Sequence, residues 1–300
     1  MANDRQGGPP QIFDRHLLRI RKSRAAAGME RTTFLLDHVA TDLAERLSLI
    51  NRRFALGLDL GAHGTRLADA IGQTGKVTRL LRAPIIPELA GPADDNGIAG
   101  DEDTLGQGPA SLDLIVSALG LQLVNDLPGT LAQIRRALKP DGLFLAAMLG
   151  GRSLEQLRAA FASAEIAVTG GLSPRVAPFA DVRDLGALLQ RAGFALPVTD
   201  SDSLTVTYPD PLALMRDLKA MGASNMLTDR RKTLMRRDLL AAACHQYRQQ
   251  FGLPDGRVPA TFEIVTLTGW APDASQQQPL RPGSAKASLQ AAVRNTGGSA

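Results

Sequence analysis

The sequence is poor in cysteine, in aromatic residues and in long apolar runs. Cys244 is the single cysteine among 300 residues, which excludes an internal disulfide and any metal site built on paired cysteines. Aromatic residues make up 4% of the chain, too few to stack single-stranded nucleic acid, so no nucleic-acid partner is expected. The most apolar stretch, residues 143–149, is far shorter than the roughly 18 residues that span a bilayer. We therefore expect a cytoplasmic protein with at most peripheral contact at the inner face of the membrane.

Positive charge is in slight excess and is unevenly distributed. There are 34 Lys and Arg residues against 30 Asp and Glu, which gives a formal net charge of +4. Residues 15–24 and residues 230–237 each carry five basic side chains. Two interpretations stay open for these clusters: they are solvated helix faces, or they dock to an acidic partner or a membrane surface.

Composition divides the chain into four parts. Residues 1–11 and 273–300 are rich in Gly, Pro, Gln and Ser, so we predict that the first is disordered and the second mostly so. Residues 12–50 carry two amphipathic helical patterns. Residues 51–272 alternate strand and helix patterns, which indicates an α/β domain with a parallel sheet, and a helical insertion is predicted over about 209–255.

The apolar periodicity also locates the individual elements. Ser153 and Gln156 have the spacing of a capping box, which predicts the start of a further helix. The Lys139–Gly142 segment predicts a turn after a helix. The final strand is expected to run antiparallel to its neighbours. Helices are predicted over 13–27, 34–47, 64–71, 126–138 and 181–192, and strands over 54–60, 76–81, 112–117, 143–149, 204–208 and 261–270.

The most informative stretch is residues 54–65, FALGLDLGAHGT, which has the pattern of a buried strand, an acidic turn and a glycine loop that opens a helix. A nucleotide cofactor needs a tight turn after a strand, close approach to the backbone and helix amides aimed at the ligand. Gly61 and Gly64 supply part of that requirement. An ordinary strand-to-helix turn would give a similar pattern, so the loop alone does not identify a site.

Three segments of the chain resemble class I S-adenosylmethionine-dependent methyltransferases: DLGAHG, SLDLIVSALGLQLVNDLP and LKPDGLFLAAMLGG. Four others are similar to a narrower family, the mitochondrial complex I assembly factor 5 group and its bacterial relatives, which is related to the malonyl-carrier methyltransferase of biotin synthesis. These are IFDRHLLRIRKSRAA, GGLSPRVAPFADVRDLGALLQRAGF, LMRDLKAMGASN and VPATFEIVTLTGWAP. The resemblance covers about residues 11–290.

The resemblance implies an α/β fold: a doubly wound, seven-stranded Rossmann-like sheet with a helical N-terminal preface and a helical lid insertion. It also implies S-adenosylmethionine as cofactor. In this pattern Asp59 orients the loop and Asp101 accepts a hydrogen bond from the adenine amino group. The residues that the resemblance places at the cofactor are Asp59, Gly61, Gly64, Asp101, Glu102 and Ser117.

The chain departs from the family pattern at four places. His63 and Thr65 stand where the family has glycines, and a side chain at His63 would intrude on the methionine moiety unless the backbone adapts. Near Leu81, where the family has a carboxylate for the ribose hydroxyls, there is none. A lost charge-assisted hydrogen bond costs on the order of 1.5 to 3 kcal/mol. A family His-Trp pair is replaced by Gln122 and Leu123.

The catalytic residues and the oligomeric state stay unknown at this stage. No His is followed two residues later by Asp or Glu, so the usual start of a non-haem iron site is missing and no metal is expected. Tyr208, Trp270 and Met221 are candidates for a lid lining, although core positions suit them better.

The sequence leaves three functional hypotheses open. The first is an S-adenosylmethionine-dependent methyltransferase with an unknown acceptor. The second, implied by the narrower resemblance, is an assembly factor that hydroxylates an arginine on a subunit of the respiratory NADH dehydrogenase. The third is a non-catalytic adaptor on a degenerate methyltransferase scaffold.

Overall fold

A computed structural model describes residues 10–90, 96–98 and 100–277. The predicted disordered segments, 1–11 and 273–300, lie almost wholly outside these residues. The helices are α1 (Arg15–Ala26), α2 (Phe34–Leu49), α3 (Arg66–Gln73), α4 (Leu127–Ala137), α5 (Glu155–Thr169), α6 (Val182–Arg191), α7 (Pro211–Ala220) and α8 (Arg237–Phe251). The strands are β1 (Phe54–Leu60), β2 (Val77–Ala83), β3 (Leu112–Ala118), β4 (Leu138–Leu149), β5 (Ala195–Tyr208) and β6 (Val258–Trp270).

The strands form one twisted sheet in the order β2-β1-β3-β4-β6-β5. Strands β1 to β4 pair in parallel, and β6 runs antiparallel to both β4 and β5, as predicted for the final strand. Apolar side chains of β4 alternate between the two faces: Leu143, Leu145 and Ala147 pack on one side, and Phe144 and Ala146 on the other. Helices cover both faces, so the doubly wound α/β prediction is confirmed.

The helices pack on the sheet in two layers and leave α1 apart. Helices α2, α3, α5 and α8 bury the first face, while α4 and α6 bury the second. Helix α1 instead packs in a third cluster with Ile85, Ile86 and Leu89, which follow β2, and with Met226 and Leu227, which follow α7. The helical preface therefore reaches the edge of the sheet where the parallel strands end.

The expected seventh strand is not found in the described part of the chain. Beside β2 there is a single parallel bridge between Arg82 and Gly97. Pro84 and Pro87 have no backbone N–H to donate to a ladder, and a short 3-10 helix, Pro87–Leu89, turns the chain there. The sheet of described residues thus has six strands.

The capping box predicted at Ser153 and Gln156 is wrong. Helix α5 begins after Leu154, which is left-handed with φ 56° and provides no side-chain cap. The Ser153 hydroxyl bonds to both the carbonyl and the N–H of Glu263, and Gln156 bonds to Thr261 through its amide N and O atoms. Both side chains are used to fix α5 against β6.

The turn predicted over Lys139–Gly142 is replaced by the start of a strand. Strand β4 follows α4 directly at Leu138. The pairing of β4 with β3 is irregular there, because its register shifts between Leu112 and Leu114. Asp141 takes the left-handed conformation there, with φ 60°, and its carboxylate pairs with Arg52. The proline and the glycine are accommodated because the pairing is interrupted at this point.

Candidate functional site

The glycine loop lies at the carboxyl ends of the parallel strands, where α/β sheets hold their ligands. Gly61 and Gly64 have φ of 75° and 85°, values that glycine tolerates best. The Gly61 N–H donates to the Ala83 carbonyl over 2.9 Å, and the Gly64 N–H donates to the Leu89 carbonyl over 3.1 Å. A Cβ added to Gly61 would lie 2.7 Å from a carboxylate oxygen of Glu102. A side chain at Gly61 would therefore displace Glu102 and would have to adopt a left-handed φ that favours glycine.

Asp59, predicted to orient the loop, lies within the sheet below it. Its residue is 1% exposed and faces Arg82 in the register between β1 and β2. Its Oδ2 has no hydrogen-bond partner among the described residues. Burial raises the pKa of Asp59 to about 7, and Arg82 acts in the opposite direction. Asp59 therefore lies buried two residues before Gly61 with a carboxylate that is readily protonated, and its role in orienting the loop stays a prediction.

Ser117, another predicted site residue, uses its hydroxyl inside the sheet. The side chain is fully buried and donates to the Leu60 carbonyl over 2.7 Å, which ties the end of β3 to the end of β1. A Cβ added to nearby Gly120 would lie 3.3 Å from the Ser117 hydroxyl and 3.5 Å from the Gly61 Cα. Ser117 thus lies where the glycine loop after β1 approaches the turn after β3.

Asp101 and Glu102 meet α1 through Arg15. The Arg15 guanidinium lies 2.6 Å from Glu102 Oε2 and 3.0 Å from Asp103 Oδ2, and it also pairs with Asp101. Arg19 pairs with the other oxygen of Asp101. Burial lowers the pKa of Arg15, but Glu102 and the two neighbouring carboxylates outweigh that effect and raise it. These ion pairs hold α1 over the loop. We name Arg15 with Asp101, Glu102 and Asp103 the α1 clamp.

His63 and Gln122 share one backbone acceptor. The Leu119 carbonyl lies 3.2 Å from His63 Nε2 and accepts from Gln122 Nε2 over 2.8 Å. Because a carbonyl only accepts, His63 carries its proton on Nε2. Burial and the charge of Lys22 lower the pKa of His63 to about 3, so the ring is neutral. His63 Nδ1 and Gln122 Oε1 are both buried and have no partner among the described residues.

Lys22 adds a buried cation to the same place. Its residue is 7% exposed, and its Nζ donates to the Met221 carbonyl over 3.2 Å. Burial lowers the pKa of Lys22 to about 8, although Glu102 opposes this. Lys22, His63 and Gln122 together line a cavity of about 90 Å³, whose remaining walls are largely apolar. The cavity offers one cation and two free hydrogen-bond acceptors.

A larger cavity of about 260 Å³ adjoins the first. The two cavities share Gln122, Leu123, Leu149 and Ala223. The lining of the larger cavity is mostly apolar and comes from the segments around residues 175–179 and 223–226, with further side chains from β4, α5 and α7. Arg175 is held on its wall by an ion pair to Glu165. Other lining residues are Leu154, Leu157, Val176, Phe179, Met215, Leu218 and Met226. The arrangement suits a polar head in the small cavity beside an extended aliphatic group in the large one.

Sequence reasoning identified the loop but missed Arg15, Lys22 and the use of Gln122. The signal for the first two was present, because Arg15, Leu18, Lys22 and Ala25 recur at helical spacing on one face. Two cations on the apolar face of a helix indicate that the face covers something polar. Of the lid candidates, Met221 lines the small cavity, while Tyr208 and Trp270 pack in or against the main core.

In the part of the chain that the structure describes, no group of three His, Cys, Asp or Glu residues is placed to hold a metal ion. None of the described helices is long and apolar enough to cross a membrane.

Comparison with known proteins gives consistent matches. A family model described as a methyltransferase domain matches residues 34–197. The mitochondrial arginine-hydroxylase NDUFAF5 of Homo sapiens is 40% identical over 93% of this chain and 82% of its own. A malonyl-[acyl-carrier protein] O-methyltransferase of Laribacter hongkongensis is 35% identical over 90% of this chain and 94% of its own.

A solved structure agrees at the level of the fold. The crystal structure of a methyltransferase-type protein from Bacillus halodurans superposes with a TM-score of 0.54 at 13% identity. It covers 77% of this chain and 99% of the other. At that identity the likeness concerns the arrangement of helices and strands alone.

Proposed function

The chain belongs to the methyltransferase-domain family, and from that membership we propose that it binds S-adenosylmethionine and modifies an arginine side chain of a protein substrate. The single observation that carries the proposal is the small cavity beside the glycine loop. A cation at Lys22 and unpartnered acceptors on His63 and Gln122 match the carboxylate and ammonium groups of an amino acid.

The residues present fit the methionine end of the cofactor. Lys22 would hold its carboxylate, and His63 Nδ1 with Gln122 Oε1 would accept hydrogen bonds from its ammonium group. Gly61 and Gly64 would let the backbone approach it. When bound, the cofactor supplies an electrophilic methyl group, and the contribution of this chain is to position the acceptor and exclude water.

The adenosine end fits only after a rearrangement. In the described conformation Glu102 lies against Gly61, and Arg15 pairs with Glu102 and Asp101, the residues proposed to contact the cofactor. Strand β2 ends at Ala83 and is followed by buried Pro84 and Ile85 rather than by a carboxylate. We propose that the α1 clamp opens when the cofactor enters and that Asp101 then becomes available to the adenine.

The acceptor is proposed from the relatives and from the larger cavity. The human relative, named an arginine-hydroxylase, is 40% identical over nearly the whole chain. An arginine side chain has a long aliphatic stem, which suits the apolar walls of the 260 Å³ cavity. Its guanidinium carries several N–H donors, and Gln122 on the cavity wall could accept a hydrogen bond from one of them. We propose that the substrate is a subunit of the respiratory NADH dehydrogenase, on which the chain acts during assembly.

Cofactor binding can be tested by calorimetry with purified protein. We expect micromolar affinity for S-adenosylmethionine and its loss in Gly61→Arg, because the long side chain would displace Glu102 and fill the space by which the cofactor would approach the loop. Gly72→Arg is the matched control, since open space surrounds Gly72 in α3. Equal binding by the wild type and Gly61→Arg would contradict the proposed site.

The reaction can be tested in the source organism. We expect deletion of the gene to leave one arginine of an NADH dehydrogenase subunit unmodified, as measured by mass spectrometry of the purified complex. An added oxygen in the wild type would identify hydroxylation, and an added methylene would identify methylation. An identical subunit in both strains would rule out the proposed substrate.

A non-catalytic adaptor is the second candidate, and the α1 clamp is the observation that favours it. The clamp places side chains of this chain where the adenosine would bind. Full rescue of the deletion strain by the Gly61→Arg variant would support the adaptor. Failure of a folded Gly61→Arg protein to rescue would support the enzyme.

A further inference from the structure

A cleft between α1 and α7 collects positive charge outside the proposed cofactor site. Arg21 and Arg24 face it from α1, and Arg216 and Lys219 face it from α7. Each pair is three residues apart, so both members lie on one side of their helix. The cleft measures about 490 Å³, and its other lining residues are Ala25, Gly28, Ala220 and Ser224. We name it the basic cleft.

Most of the positive charge in the basic cleft has no ion-pair partner among the described residues. Arg24, Arg216 and Lys219 make no ion pair with a described residue, and no carboxylate lines the cleft. Arg21 donates to the Asn225 carbonyl. Burial lowers the pKa of Arg21, and the nearby charges of Arg230 and Arg24 lower it further, while Asp14, which lies outside the cleft lining, acts in the opposite direction. Cations from two helices that repel one another form a site for an anionic group.

The basic cleft adjoins the larger cavity. Ser224 lines both, and the neighbouring residues Ala223 and Asn225 line the cavity. A protein segment whose modified side chain enters the cavity would therefore lay its adjacent residues along the basic cleft. The charge of those residues would have to be negative to complement four cations.

We propose that the basic cleft binds an acidic segment of the protein substrate, next to the residue that is modified; this rests on the proposed function. A bilayer is a less suitable occupant because the cleft is concave, with cations on two facing walls, whereas lipid headgroups present a broad surface. Leu234, an apolar residue that is 97% exposed, lies outside the cleft lining.

The proposal can be tested by fluorescence anisotropy with the full-length protein. The probes are two short labelled peptides with a central arginine, one flanked by Asp and Glu and the other by Ser and Asn. We expect the acidic peptide to bind more tightly, with an affinity that falls as salt rises. Arg24→Glu combined with Lys219→Glu should weaken that binding roughly tenfold or more.

The controls separate charge in the cleft from charge in general. Arg183→Glu combined with Arg191→Glu changes the net charge equally on exposed positions of α6 and should leave the affinity unchanged. Arg24→Gln combined with Lys219→Gln should give a smaller loss, and thermal melts check that each variant is folded. Equal affinity for the two peptides, or equal binding by the cleft and α6 variants, would overturn the proposal.

Vesicles with anionic lipids supply the competing outcome. Vesicle binding that depends on Arg24 and Lys219, without preference between the peptides, would assign the cleft to a membrane and overturn the proposal. The test does not depend on turnover. Acidic-peptide binding without any arginine modification in cells would leave the cleft standing and reject the proposed function.

Discussion

Lys22 places an ionisable group inside the site proposed for the amino-acid end of the cofactor. Burial lowers the pKa of Lys22 to about 8, so the side chain is positively charged below that pH and loses its charge above it. We expect the affinity for S-adenosylmethionine to fall more steeply above pH 8 in the wild type than in Lys22→Met. Calorimetry of both proteins over the same pH series measures this, because titration of the ligand itself is common to both. Parallel curves would show that Lys22 does not contact the carboxylate.

Asp59 predicts a pH-dependent stability. Its folded-state pKa of about 7 lies above the ordinary value of 3.8, so the folded protein holds a proton that the unfolded chain releases. This contribution is complete below about pH 4 and is lost as the pH rises through 7. The pKa difference corresponds to on the order of 4 kcal/mol. Asp59→Asn should therefore gain stability relative to wild type between pH 4 and pH 8, as measured by urea unfolding.

His63 acts on stability in the opposite direction and must be separated from Asp59. Its folded-state pKa of about 3 lies below 6.5, so its contribution grows as the pH rises between those values. The wild type can thus show a flat profile although both groups titrate. The decisive quantity is the difference between Asp59→Asn and wild type at each pH, and a constant difference would contradict the prediction.

At the scale of the element, Gln156 distinguishes a helix cap from a tertiary bond. In a capping box Glu and Gln are interchangeable, whereas here the Gln156 amide donates to the Thr261 hydroxyl and its oxygen accepts from the Thr261 N–H. Gln156→Glu removes the donor and buries a charge, so we expect a loss of about 2 kcal/mol or more in unfolding free energy. A near-neutral result in urea unfolding would restore the capping interpretation.

The α1 clamp makes the position of α1 depend on one side chain. Removing one partner of a buried ion pair costs about 3 kcal/mol or more, and Arg15 pairs with three carboxylates. Arg15→Ala should therefore speed hydrogen exchange in α1 about a hundredfold. Arg19→Ala, which removes a single exposed pair to Asp101, is the matched control. Equal protection in the two variants would show that packing, and not the clamp, holds the helix.

The sequence predicted most elements because apolar periodicity is local. Strand β1 and helix α6 were placed within a residue or two, since the runs that form them carry their own caps and alternation. The capping box predicted at Ser153 was wrong because the hydrogen-bond partner of Ser153 lies in β6, more than a hundred residues away. The same reason hid the role of Gln122, because Lys22 and His63, which line the small cavity with it, come from distant parts of the chain. Long-range polar contacts leave no spacing in the sequence by which to find them.

At the scale of the whole molecule, the exposed segment 231–238 predicts where a protease first cleaves the chain. All eight of its residues are exposed, and four of them are Lys or Arg. Among the described residues we expect trypsin to cut there first. The two fragments should stay together on size-exclusion chromatography, because β6 in the second fragment pairs with β4 and β5 in the first. Separation of the fragments under native conditions would contradict this.

The place of β6 in the sheet has a consequence for synthesis on the ribosome. Strand β6 is inserted between β4 and β5, although β5 leaves the ribosome some fifty residues earlier. Until β6 emerges, β4 presents an unpaired edge and β5 has no neighbour among the described strands. The nascent chain therefore carries an open, apolar sheet edge until β6 is made, and such an edge favours aggregation and wrong strand pairing during synthesis.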